Sequence, residues 1–146
     1  MRSFRIRYVS VLDTRNSGAV KASTINFPHT FTSSKVLSTQ HFQVIDNPAR
    51  LALPDWTRVL AVFTIGAAWQ FKGWKWDTPV DLFQHLLGFH LHYDQDSAKV
   101  AASPVGTWNV MRLAVSQSKR HLDATTVRQF WERVEQFLVT KRPQQQ

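Results

Sequence analysis

The chain contains no cysteine, so it has no disulfide framework and no thiolate chemistry, and the count suits an intracellular protein. No apolar run approaches the roughly 18 residues that a membrane helix needs. The N-terminal MRSFRIRYVSVLD interrupts its apolar residues with charges and lacks the continuous apolar core of a secretory signal. Glycine is scarce and scattered, at Gly18, Gly66, Gly73, Gly88 and Gly106. None falls in a G-x-x-x-x-G-K-[ST] or G-x-G-x-x-G pattern, whose small residues let backbone N–H groups approach phosphates. Nucleotide hydrolysis is therefore disfavoured. A nucleophile motif such as G-x-S-x-G is missing too, and the expectation is a non-catalytic chain that needs no cofactor.

Acidic residues are also in short supply, ten against eighteen Lys and Arg in 146 residues. The excess lies at the front: residues 1–40 carry six Lys/Arg and one Asp, and residues 41–146 carry twelve against nine acids. Such a field favours acidic partners, whether nucleic acid, acidic protein tails or phosphorylated peptides. Apolar residues make up 43% and aromatics 12%, enough for one globular domain with a single substantial core.

Hydrophobic periodicity divides the chain. FRIRYVSVL alternates as a strand, RNSG breaks it, and the Ser/Thr-rich KASTINFPHTFTSSKVLSTQ predicts a long loop or partly extended segment. HFQVID is a short strand, and the prolines of NPARLALPDW argue against regular structure after it. RVLAVFTIG is a continuous β-branched run, suited to a strand covered on both faces. TPVDLFQHLLG predicts a helix with Thr78 as N-cap, Pro79 in the first turn, Gly88 at the stop and Val80, Phe83, Leu86 and Leu87 on one apolar face. FHLHYD alternates as a half-buried strand, and TWNVMRLAVS supplies another. Val127, Phe130, Trp131, Val134, Phe137 and Leu138 recur at helical spacing between Asp123 and Pro143. Strand, helix, strand, strand, helix indicates an α/β domain with a mixed sheet.

His85, His90, His92 and His121 are the candidate metal ligands, with His90 and His92 on one strand face. No cysteine accompanies them, so surface or hydrogen-bonded histidines are the expected outcome, with no metal. The aromatic cluster GAAWQFKGWKWDTP is more informative. Its rings alternate with Gln70, Lys72 and Lys75, and they are too many in too short a span for all to point inward. Most are expected in the core, with at least one exposed beside Arg58, Lys72 or Lys75 as a docking anchor. SQSKRHLD places a second basic cluster, Lys119, Arg120 and His121, between the last strand and the last helix.

The motifs DW-x-RV-x-AVF, AWQFKGW, PVDLF, KRHLD and FWE occur in this order between Phe42 and Lys141. In this the chain resembles the C-terminal domain of the parafibromin family, a subunit of the RNA polymerase II-associated factor complex. The resemblance divides the chain into a divergent N-terminal segment at 1–40, a parafibromin-like domain at 41–142 and a tail at 143–146. It implies a Ras-like GTPase fold without a nucleotide-binding loop: a mixed, largely parallel sheet flanked by helices. It implies a nuclear scaffold in transcription elongation, partnered by RNA polymerase II and its phosphorylated tail or elongation factors, by other subunits of the complex and by chromatin. Carried onto this sequence, it puts Arg58 and Trp69 at a shared surface groove with Gln70, Lys72 and Trp74 close behind. Lys75, Lys119 and Arg120 complete the expected partner-binding set. The alternative is a basic nucleic-acid-binding module that stacks bases on exposed tryptophans. A degenerate GTPase is a further rival, opposed by the missing phosphate loop.

Overall fold

The computed structural model describes residues 3–8, 24–31, 39–46, 48 and 51–140. The expected break at RNSG and the tail 143–146 lie outside these residues. Six strands form one sheet: β1 (Ser3–Tyr8), β2 (Thr24–Thr30), β3 (Thr39–Ile45), β4 (Val59–Phe63), β5 (Leu87–Tyr93) and β6 (Met111–Val115). Their order is β2-β3-β1-β4-β5-β6, and only the β2–β3 pair is antiparallel. Three helices occur among the described residues: α1 (Pro79–His85) and α3 (Asp123–Thr140), which the sequence pattern predicts, and α2 (Ser97–Ala102), which it does not. The fold class is α/β with a mixed, largely parallel sheet, as the sequence indicates. The Ser/Thr-rich stretch differs in part, because Thr24–Thr30 is a full strand on β3. The expected 40/41 boundary thus falls inside β3.

β4 is central and its first four residues are buried, which is why VLAVF shows no alternation. Two cores lie on its two sides. One joins Phe42, Leu60, Phe89 and Leu113 to Val134, Phe137 and Leu138 of α3. The other joins Val59, Val62, Leu82, Phe83 and Leu86 to Trp56 and Phe71.

α1 begins as expected, with Asp81 N donating to Thr78 Oγ1 at 3.3 Å. It ends earlier than its sequence suggests. His85 is its last residue, Leu86 is already extended at φ −124°, and Leu87 and Gly88 belong to β5. The missing side chain of Gly88 makes room for its neighbours and stops nothing, since a Cβ there would fall 2.5 Å from both the Phe83 ring and Val110 Cγ1. Leu82, not Val80, turns inward, and Val80 is 68% exposed. In α3 the apolar face holds except at Val127, which is exposed.

Trp131 of α3 reaches across to the β2–β3 end of the sheet. His29 stacks on its indole with ring centroids 3.6 Å apart and planes 4° from parallel. Phe27, Phe31 and Phe42 surround the pair. Burial lowers the His29 pKa below its ordinary 6.5, with the Glu135 carboxylate pulling the other way. The unfolded chain therefore binds the proton more readily than the folded one. This group's contribution to stability is complete above pH 6.5, declines as pH falls through that value towards the folded pKa, and is lost below it. Urea midpoints measured from about pH 7.5 to 5 should fall less in His29→Phe than in the parent. Parallel curves would assign the pH dependence to other groups.

Candidate functional site

The chain leaves β4 at its carboxyl edge and crosses the sheet face as a long strap, Thr64 to Thr78, before α1. Gly66 and Gly73 bracket the first part of this strap at φ 93° and 83°, in the left-handed region that other residues avoid. Between them Ala68–Phe71 forms one 3-10 turn. At three residues per turn, neighbours two apart cannot face the same way. Phe71 is fully buried and Trp69 is 73% exposed. Trp69 is the one exposed indole among six; the other five are buried or half-buried.

Gln70 fixes this turn from beneath. Its Oε1 accepts from Thr64 Oγ1 at 2.8 Å and from the Ile65 N–H at 3.0 Å, and Thr64 Oγ1 in turn accepts from the Gly66 N–H at 3.0 Å. Its Nε2 is buried and has no partner among the described residues. Gln70 is therefore an internal brace, and its amide is not offered to a partner. It sits beyond the carboxyl end of β4, on the side of β1 where strand order reverses, the usual ligand position in an open α/β sheet.

From Phe71 the strap runs back towards the amino edge. Trp74 meets Phe71 at 5.1 Å and Trp56 at 5.7 Å, so it is half-buried. Trp76 lies 6.0 Å from Trp56, stacks on His85 at 4.4 Å and carries Lys75 Nζ 4.7 Å from its ring centroid. Arg58 ends the turn Leu53–Arg58, two residues after Trp56, and is exposed. Arg58 and Trp69 thus stand beyond opposite ends of β4, a strand about 13 Å long. The strap, with exposed Lys72 and Lys75, connects them across the face. Any partner touching both must span that distance, which an extended peptide does in about four residues.

Lys119 and Arg120 stand elsewhere, after β6 at the carboxyl edge. Lys119 is exposed, but Arg120 Nε is engaged by Asp123 at 3.1 Å. The histidines do not converge. His85 Nδ1 bonds the Asp81 carbonyl, His90 Nδ1 the Thr64 carbonyl and His92 Nδ1 the Tyr93 carbonyl, while His121 is exposed. Two features escaped sequence reasoning, the exposed Leu53 (71%) near Arg58 and Val80. Leu53 stands beside Pro54 ahead of a buried tryptophan, and no period separates it from the core residues around it.

The strand order with its single antiparallel pair defines a Ras-like α/β domain. Residues 4–137 match the family described as RNA pol II accessory factor, Cdc73 family, C-terminal, and the chain belongs to that family. The match takes in β1 and β2 as well as the motifs from Phe42 onward. Over 106 residues the chain is 47% identical to Cell division cycle protein 73 of Caenorhabditis elegans, covering 72% of this chain and 20% of that protein. Over 128 residues it is 32% identical to Cell division control protein 73 of Saccharomyces cerevisiae, covering 87% and 31%. The conserved domain of yeast Cdc73 superposes with a TM-score of 0.79 at 26% identity, covering 96% of this chain and 98% of that one. The chain spans about a fifth to a third of the curated relatives it matches. The family is an accessory factor and not a known enzyme class, and the resemblance to parafibromin is borne out.

Proposed function

We propose that this domain is a non-catalytic, nuclear interaction module of an RNA polymerase II-associated factor complex, which helps hold the complex on elongating polymerase and chromatin. Its partner surface is the strap from Trp69 to Arg58, with Lys72 and Lys75 along it. Its ligand is an extended phosphorylated segment of the polymerase tail or of an elongation factor. The exposure of Trp69 above an internally braced turn carries this reading, because a large ring held rigidly in water costs little further entropy when a partner covers it. Arg58 supplies a fixed fork of donors for a phosphate, and the two lysines supply point charges. Lys119 and Arg120 add to the positive field at the carboxyl edge. Gln70 and Trp74 act beneath the surface, as brace and support.

The test is a fluorescence titration with phosphorylated and unphosphorylated polymerase-tail peptides. Arg58→Glu and Trp69→Ala should each weaken phosphopeptide binding about tenfold or more while leaving the urea midpoint unchanged. Unchanged affinity in both variants would remove the strap as the site. A single exposed indole offers little platform for successive stacked bases. Strong, salt-sensitive quenching of Trp69 by single-stranded oligonucleotides would nonetheless favour the nucleic-acid alternative.

A further inference from the structure

We propose that the outer edge of β6, together with the cleft beside its first residues, is a second docking site, which takes an extended acidic peptide with one apolar anchor as an added strand. Among the described residues β6 ends the sheet and pairs only with β5. Backbone groups along a strand alternate between its two edges, so the outward set can be identified from what bonds to it. The Ala114 carbonyl accepts from Thr126 Oγ1 at 2.6 Å, and the Ser116 N–H donates to Asp123 Oδ1 at 3.1 Å. Both partners come from the start of α3, which thereby closes the far half of this edge. The same alternation turns the Arg112 N–H and C=O outward, where no bond reaches them among the described residues. The opposite edge of the sheet is different, because β2 carries Pro28, which has no N–H to offer an added strand.

Beside the open half of β6 lies a cleft of about 170 Å³, walled by Phe83, Leu87, Met111 and Phe137, with the polar Asn109, Arg133 and Thr140 at its exposed lining. That volume suits one ring-sized side chain. Asn109 Nδ2 donates to the Phe83 carbonyl at 3.3 Å and ties the entry of β6 to α1, so this wall is fixed before anything binds.

Charge selects the occupant. No acidic residue lines the cleft. Among the described residues Arg133, on α3, has only the neutral Gln136 Oε1 as a hydrogen-bond partner, at 3.1 Å. Arg112 is exposed and belongs to the opposite sheet face, that of its cross-strand neighbour His90. The last carbonyls of α3 disfavour an anion, but they amount to about half a charge against a full guanidinium. Side chains of an added strand alternate between the faces. One face of such a strand would place an apolar residue in the cleft and an acid towards Arg133; the other would place acids towards Arg112.

The probe is a capped peptide of sequence Asp-Glu-Phe-Glu-Asp, titrated against the whole chain by NMR. Two further versions carry N-methyl groups on alternate backbone amides, in opposite phases. Strand addition predicts that one phase loses binding at least about tenfold and the other stays within about twofold, because only one set of peptide N–H groups faces β6. The Arg112 and Ala114 amide signals should shift. Arg133→Gln and Arg112→Gln, which keep the backbone donors, should each weaken binding several-fold, while Arg128→Gln, the same charge change elsewhere on α3, should not. Equal binding of both N-methyl phases would overturn the proposal. So would equal binding of the peptide with Phe replaced by Ala, or of an oligonucleotide of matched charge. Shifts at Arg112 and Ala114 produced by raising the protein concentration alone would assign the edge to a second copy of the chain instead.

Discussion

Phe71→Ala should destabilise the domain by about 3–5 kcal/mol, whereas Trp69→Ala, two residues earlier, should stay within about 0.5 kcal/mol. Phe71 is wholly buried and touches Trp74 at 5.1 Å, Phe83 at 5.7 Å and Trp108 at 6.0 Å. Those rings belong to three separate segments: the strap, α1 and the approach to β6. Removing the phenyl ring leaves a void that none of them can fill without releasing another, so the cavity cost adds to the lost transfer energy. Urea unfolding followed by far-ultraviolet circular dichroism measures both variants. A Phe71→Ala loss below about 1 kcal/mol would mean that the strap is not anchored through this ring.

Trp131→Ala should cost about 3 kcal/mol or more and should act far from its own helix. Its indole is the lid over the β2–β3 hairpin, stacked on His29 and 5.2 Å from the Phe42 ring. Without it, Phe27 and Phe31 lose their cover on the α3 side. Hydrogen exchange should report this as lost protection in β2 and β3 while β4 and β5 remain protected. A uniform loss over the whole sheet would mean that the domain unfolds as one unit and that Trp131 holds no separate part of it.

The division of the chain into strands and helices could be read from period alone wherever one face is buried. β4 and α3 are such cases, because an uninterrupted β-branched run and a six-residue apolar stripe each have one good solution. β2 could not be read this way. Its residues alternate Ile25, Phe27 and His29 against Asn26, Pro28 and Thr30, but a strand containing proline and flanked by Ser and Thr reads as loop, and its pairing with β3 is a tertiary fact. The end of α1 was hidden for a related reason. Gly88 looks like a stop because glycine often follows helices, yet here it answers to the crowding of Phe83 and Val110.

Within the candidate site, one exposed ring among the strap's aromatics was an inference from crowding, and Trp69 is that ring. The inward turn of Gln70 had no sequence signal. A glutamine beside a tryptophan and a lysine looks like surface, and only the path of the chain past Thr64 and Ile65 gives its amide something to hold.

The stacking of Trp131 on His29 also bears on how the domain is made. The two rings are separated by about a hundred residues of chain, so the N-terminal strands cannot acquire their cover until nearly the whole domain has left the ribosome. Until then Phe27, Phe31 and Phe42 form an uncovered aromatic face beside an unfinished sheet. A nascent chain stopped before residue 131 should be held by chaperones or degraded, and a long contact of this kind predicts slow folding for so small a domain. Its first strands are completed by its last helix.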